Sequence, residues 1–287
     1  MPDRLSKALQ SLDGLSVGDA FGELFFSMSP HTAASVDLPT QPWRWTDDTH
    51  MALSIVEVLR EYGHIEQNAL ARAFARRYQE EPYRGYAGGA AHLLRQVSSG
   101  ADWRTIAPTL FGSGSYGNGA AMRVAPLGGF FYDDVPRAAQ QAQLSAVITH
   151  AHPEGQAGAM AVAVAAAMAA NPSHPSGRDF LKEVLAFVPK GVTQERLQLA
   201  VDVPSNALDQ AVRLLGSGSE VSAQDTVPFC LWSAAYHLGD YEEALWWTVK
   251  GMGDCDTTRA IVGGIVALAA NRIPSAWLKQ REPLPIP

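Results

Sequence analysis

The hydrophobic positions of this chain recur with a helical period along its length, and no segment alternates as a half-buried strand would. In "DDTHMALSIVEVLREYG" the apolar faces come from Met51, Leu53, Ile55, Val56 and Leu59, so a helix should run from Asp47 to about Tyr62 and stop at Gly63. The stretch from about Arg4 to Phe26 is also helical. Its Gly14, Gly18, Ala20 and Gly22 permit close approach of a second helix or of a ligand. "IEQNALARAFARRYQEEP" gives a helix ended by Pro82, and "HAHPEG" separates two more. The apolar run Ala157 to Ala170 is shorter than a membrane span and dominated by alanine, which suits a close-packed buried helix. "DFLKEVLAFV", "TQERLQLAV" and "NALDQAVRLLG" are ordinary amphipathic helices, and Ser222, Gln224 and Asp225 form a cap signature for the next one. Helical patterns that follow one another through short connections predict an all-α fold.

Composition narrows the function classes. The 287 residues are 47% hydrophobic and no low-complexity linker divides them, so one domain over 1–287 is expected. A formal charge of -7, with 22 Lys and Arg scattered rather than gathered in a stripe, disfavours a nucleic-acid binder. Cys230 and Cys255 are the only cysteines, which excludes a disulfide framework and a cysteine zinc site. The first residues lack the apolar run of a secretory signal, and no span reaches membrane length. A soluble, cytoplasmic monomer without a membrane partner is the expectation.

Two acidic clusters carry the candidate chemistry. Thr46, Asp47 and Asp48 open one amphipathic helix, and Asp254, Asp256 and Thr257 open another in "GDCDTTRAIVGGIVA". Either cluster alone reads as a helix cap, because free N–H groups and the helix dipole favour anions there. Four carboxylates brought to one point need a counter-charge. Hard oxygen ligands select magnesium or manganese over zinc, and two divalent ions would balance four carboxylates. Asp19 and Glu23, four apart on one helix face, are a solvated or capping pair or a functional one.

The glycine-rich stretch "LFGSGSYGNGAAMRVAPLGGFF" offers a second feature. Backbone N–H groups at Gly114, Gly117 and Gly119, with Ser115 and Asn118 among them, would form an anion-binding nest, and Phe111 and Tyr116 could stack on a base; a mobile surface loop is the alternative. His150 and His152 have zinc-like spacing without a third ligand. One pocket-lining, hydrogen-bonded histidine and one near the surface is the commoner arrangement. The polar segment Ser27 to Arg44 is long enough for a binding loop or flap.

In this order, "GLSVGDAFGE", "WTDDTHMAL", "GSYGNGAAMRVAPLG", "ITHAHPEGQAGA" and "GDCDTTRAIVGGIVA" make the chain resemble the ADP-ribosylglycohydrolase family over nearly its whole length. The resemblance implies an all-helical domain with a binuclear magnesium or manganese centre that removes ADP-ribose from a modified group. It implies Thr46, Asp47, Asp48, Asp254, Asp256 and Thr257 as metal ligands. Gly114, Ser115, Tyr116, Gly117, Asn118, Gly119 and Met122 would cradle the diphosphate and its ribose, and His150 would contact the substrate ribose. Many relatives place a glutamate beyond the GDA-x-G motif where this chain has Phe25 and Phe26, while its nearby carboxylate is Glu23. Asp47, Asp48, Asp256 and Glu23 are thus the candidate catalytic residues. The substrate is expected to be an ADP-ribosylated protein, first of all one modified on arginine, or a small ADP-ribose derivative. A two-metal phosphoesterase and a non-catalytic ADP-ribose binder are the rival classes.

Overall fold

The computed structural model describes residues 2–26, 28, 38–40, 42–270 and 272–285. Most of the flap expected between Ser27 and Arg44 therefore lies outside the described residues. Among the described residues there are fifteen α-helices, two short 3-10 turns and no strand. The extended pairings are two isolated bridges, Trp43 with Arg281 and Gly117 with Ser222. The all-α expectation holds.

Two helices from opposite ends of the chain form the spine. The helix Pro2–Glu23 lies along the helix Cys255–Ala269, and glycines set how close they come. A Cβ built on Gly14 would fall 2.4 Å from the Gly263 carbonyl oxygen, one on Gly18 2.1 Å from that of Arg259, and one on Gly22 2.2 Å from that of Cys255. No side chain larger than hydrogen fits at these three positions, which recur every four residues and so share one face. Ser11 Oγ donates to the Gly264 carbonyl at 2.7 Å, and Tyr241 Oη donates to the Gly14 carbonyl at 2.6 Å.

The alanine-rich helix Pro153–Ala169 is buried on nearly every side, as its composition suggested. Small side chains let the short helix Ala125–Phe130 press against it, with Gly128 over the Ala163 carbonyl. Around the other end of the spine Phe21, Phe25, Trp43, Trp246 and Trp277 form an aromatic cluster, with Phe21 stacked on Trp277 at 4.6 Å between centroids. Each such ring buried contributes roughly 1.5–3 kcal/mol.

The segment before Asp47 is clamped from the C-terminal side. Trp43 N donates to the Gln280 carbonyl at 2.7 Å, and Glu282 N donates back to Trp43 at 2.8 Å. Arg84 lies 3.6 Å over the Trp45 ring, pairs with Glu81 and Glu282, and donates to the Trp45 carbonyl. Its own carbonyl accepts from Asp47 N at 2.7 Å, so this residue fixes the chain on both sides of Thr46. The helix Asp47–Tyr62 ends as expected at Gly63, whose φ of 72° places it in the left-handed region and whose N–H reaches the Leu59 carbonyl.

Candidate active site

Both acidic clusters open helices, and the two helix mouths face one cavity of about 450 Å³. Asp47, Asp48, Asp254, Asp256 and Thr257 line it from one side. Phe111, Ser115, Tyr116, Gly117, Asn118, Gly119, Met122 and His150 line it from the other. Thr46, Gly114 and Glu23 are not part of the lining: Thr46 is buried, Gly114 packs against Ala151 and His152, and Glu23 is exposed. Neither lysine nor arginine contributes to that lining.

The first mouth is organised by Asp19, whose capping role the sequence offered as one of several for the Asp19 and Glu23 pair. Asp19 is fully buried and accepts from Thr46 N at 3.0 Å, Thr46 Oγ1 at 2.9 Å, Thr49 N at 3.1 Å and Thr49 Oγ1 at 2.5 Å. Its carboxylate satisfies donors at the start of the helix that would otherwise be orphaned. The available signal was its place in "GDAFGE", between the glycines that seat its helix against Cys255–Ala269. Burial raises its pKa to about 6 even against those hydrogen bonds.

The remaining carboxylates are set close enough to disturb one another. Burial first, then the charge of Asp19, with a smaller push from Asp254, drives Asp47 up to about 8. Asp48 is pushed well above the carboxylate range by burial and then by Asp256, and Asp256 by burial and then by Asp254. Arg123 acts on Asp47 from behind the wall, as a weak opposing charge.

The second mouth is built from backbone. Gly253 has φ 74° and sits so close to Ser217 that a Cβ there would fall 2.0 Å from the Ser217 carbonyl oxygen. Asp254 N donates to that same carbonyl at 3.2 Å. Gly218, at φ 88°, lies under Asp254, where a Cβ would come within 2.6 Å of the Asp254 Cβ. Asp254 Oδ2 accepts from Asn118 Nδ2 at 2.7 Å, and the same nitrogen donates to Thr226 Oγ1 at 3.1 Å.

The glycine-rich loop is thereby tied to the acidic ring. Its anion nest is smaller than the glycine pattern suggests: Gly114 N already donates to Leu110, Gly117 N to Ser115 Oγ, and Asn118 N to Val221. Gly117 and Gly119 serve a different purpose. A Cβ on either would crowd the His150 ring, at 3.3 Å and 2.9 Å, so glycine lets the loop lie on that histidine. Tyr116 packs edge-on against His152, and Phe111, 73% exposed and at φ 54°, leans over Gly89 at the cavity mouth.

The two histidines part company as expected. His150 is buried in the lining with Nδ1 2.7 Å from Thr149 Oγ1, whereas His152 uses Nδ1 to cap its helix through Glu154 N. Sequence reasoning missed Phe26, Met51, Leu110 and Val221 as lining residues, since nothing in an isolated apolar residue marks it as facing a cavity. The cap signature at Ser222 marks the helix start, with Ser222 at the N-cap of Ala223–Tyr236 and Asp225 in its first turn, but the Ser222 hydroxyl is buried without a partner and Asp225 accepts from Glu220 N at 2.9 Å. The loop 216–222 is what Asp225 organises.

The donor set fits hard divalent cations. Asp48 Oδ1 is buried without a hydrogen-bond partner, a costly state that a cation would relieve. Among the described residues, however, no three His, Cys, Asp or Glu side chains converge tightly enough to hold an ion as they stand. Mutually repelling carboxylates draw together only around a counter-charge. Among the described residues, no helix is long and apolar enough to cross a membrane.

Comparison with known proteins gives one family and one fold. The family model for ADP-ribosylglycohydrolase matches residues 1–284. An uncharacterised protein of Archaeoglobus fulgidus is 30% identical over 286 residues, covering 94% of this chain and 90% of that protein. Human ADP-ribosylhydrolase ARH3 is 25% identical over 292 residues, covering 89% of this chain and 79% of its own. The solved structure of an ADP-ribosylglycohydrolase-related protein complex shares the fold at a TM-score of 0.67, with 21% identity, over 98% of this chain and 94% of that one. A match that takes in the first helix, both acidic mouths and the tail that clamps Trp43 leaves little of the fold outside it, and the chain belongs to the ADP-ribosylglycohydrolase family.

Proposed function

We propose that this protein hydrolyses the bond between ADP-ribose and a modified group, with ADP-ribosylated arginine on protein as the foremost substrate. The observation that carries this reading is the cavity itself, in which a ring of buried carboxylates without a lining cation adjoins a glycine-rich loop and a buried histidine. Thr46, Asp47, Asp48, Asp254, Asp256 and Thr257 would hold two divalent cations. Magnesium or manganese there would supply Lewis-acid polarisation and lower the pKa of water near neutral pH.

The chain's own groups do the rest. One carboxylate of the set Asp47, Asp48 and Asp256 orients a water and accepts its proton as the water oxygen bonds to the anomeric carbon; the bond to the guanidino nitrogen breaks through an oxocarbenium-like state, and that proton passes to the departing nitrogen. Thr46 positions the first mouth from behind, its Oγ1 held by Asp19. Ser115, Tyr116 and Gly119 present the loop to the diphosphate, Met122 supplies an apolar floor, and Phe111 an aromatic face at the mouth. A guanidinium leaving group suits this wall, because a carboxylate ring neutralised by two divalent ions does not repel a cation and no lining lysine or arginine competes for the place. Glu23 lies away from the lining, which favours the ring aspartates over it as the proton acceptor.

The test is time-resolved product analysis on arginine-ADP-ribosylated protein and on ADP-ribose-1″-phosphate, each with magnesium, manganese or chelator, beside Asp256→Ala. Release of ADP-ribose from the protein, lost with chelator and reduced by roughly a thousandfold or more in the variant, is the expected result. Phosphate release from the small substrate alone would move the reading to a small ADP-ribose derivative. Full activity in Asp256→Ala would sink the binuclear assignment.

A further inference from the structure

We infer that Thr149 and Arg123 are positioning residues that lock His150 as an Nε2–H donor toward the cavity, so that this wall recognises an oxygen acceptor on the ligand and refuses a donor. The inference deepens the reading above, since it names what His150 can contact in an ADP-ribosyl group: a hydroxyl or phosphate oxygen, through its lone pair.

The lock follows from counting protons around one buried hydroxyl. Thr149 is 1% exposed, and its Oγ1 has two partners among the described hydrogen bonds. Arg123 Nη2 donates to it at 3.0 Å, and His150 Nδ1 lies 2.7 Å away. A guanidinium has no acceptor, so Arg123 takes one lone pair of the hydroxyl. Among the described hydrogen bonds the one acceptor for the hydroxyl proton is then His150 Nδ1. Were Nδ1 protonated instead, the hydroxyl would accept twice and its own proton would be buried without a partner, the arrangement that folded proteins avoid. Nδ1 is therefore the acceptor, and in a neutral imidazole the proton sits on Nε2.

The ring is neutral because burial, and then the charge of Arg123, hold its pKa down to about 3. Nε2 faces the glycine loop: the Cβ positions of Gly117 and Gly119 would lie 3.3 Å and 3.0 Å from it, and no described hydrogen bond uses it. Arg123 itself is held in place. It is fully buried, 4.4 Å over the Phe74 ring, and donates from Nη2 to the Ser145 carbonyl at 3.2 Å. No carboxylate pairs with it among the described salt bridges; Nη1 lies 3.5 Å from Met51 Sδ, Nε has no partner among the described residues, and Nη2 is the nitrogen that orients Thr149.

The experiment pairs a spectrum with a titration. Long-range proton–nitrogen correlation spectra of the full chain labelled on histidine, with His150 assigned by its loss in His150→Gln, report the tautomer directly. Calorimetric titration with ADP-ribose in the presence of magnesium reports the contact. The wild-type ring should show an unprotonated Nδ1 and a protonated Nε2. Thr149→Val should abolish that single-tautomer signature and weaken ADP-ribose binding about tenfold, and Thr149→Ser should restore both. A protonated Nδ1 in the wild-type protein, or an unchanged tautomer and affinity in Thr149→Val, overturns the inference. Should Thr149→Val fail to fold, the wild-type spectrum still decides it. A wild-type protein with the expected tautomer that does not bind ADP-ribose would leave the lock standing and remove the ligand proposed above.

Discussion

The two acidic helix mouths look alike in sequence, yet the molecule holds them in place by different means. At Asp47 and Asp48 the backbone is fixed by a buried carboxylate, Asp19, which collects donors from Thr46 and Thr49. At Asp254 and Asp256 the backbone is fixed by close approach, with Gly253 against Ser217 and Gly218 beneath Asp254. One mouth is anchored on a buried carboxylate, and the other on close glycine contacts together with the buried Arg259, whose Nη1 donates to the Met252 and Cys255 carbonyls. A motif therefore says which atoms a site needs, while the means of holding them is settled locally.

The difference gives a graded series of tests. Asp19→Ala should have the largest effect, about 3–5 kcal/mol in urea unfolding with chelator present, because it leaves several buried donors at one helix start unpaired. Asp19→Asn should recover part of that loss, since an amide oxygen accepts but carries no charge. Equal stability of Asp19→Ala and the wild type would show that the first mouth does not depend on its anchor. Gly253→Ala comes next at about 2–3 kcal/mol, from a left-handed φ of 74° combined with a Cβ 2.0 Å from a carbonyl oxygen. Were it neutral, the close-approach account of the second mouth would fail.

Asn118→Ala links the two halves of the cavity. Its amide holds Asp254, so manganese affinity should fall about tenfold by calorimetry, with ADP-ribose binding weakened alongside. Loss of ADP-ribose binding alone would assign Asn118 to the ligand and not to the ring. Glu23→Gln should be smallest, with turnover within about twofold of wild type, since an exposed side chain outside the lining touches neither mouth. A loss of several orders of magnitude would return Glu23 to the chemistry.

Much of this was legible in the sequence, and the limits have physical causes. Helix periodicity gave the fold class, and cap chemistry gave both mouths, because local pattern encodes local structure. The pattern of Gly114, Gly117 and Gly119 suggests an anion-binding nest, and the family resemblance makes the anion a diphosphate. Only coordinates show that Gly114 makes a turn against His152 and that the other two make room for His150. Asp19 is one carboxylate near another in a helix until the fold buries it under Thr46. Thr149 gives even less signal: its partners, Arg123 and His150, are defined by tertiary approach, although one is its chain neighbour.

The glycine-seated spine has a consequence for how the protein comes into being. The helix that carries Asp19 is seated on one that carries Asp256, and the hydrogen bond from Ser11 to Gly264 closes a separation of 253 residues. A nascent chain leaving the ribosome presents the first helix long before its seat exists, with a row of glycines facing nothing. The acidic ring is then among the last features to be assembled, so a prematurely ended product lacks a usable centre however much of it has folded. High contact order of this kind slows folding. It also ties the placing of Asp256 beside Asp48 to the seating of the helix Cys255–Ala269 on Pro2–Glu23.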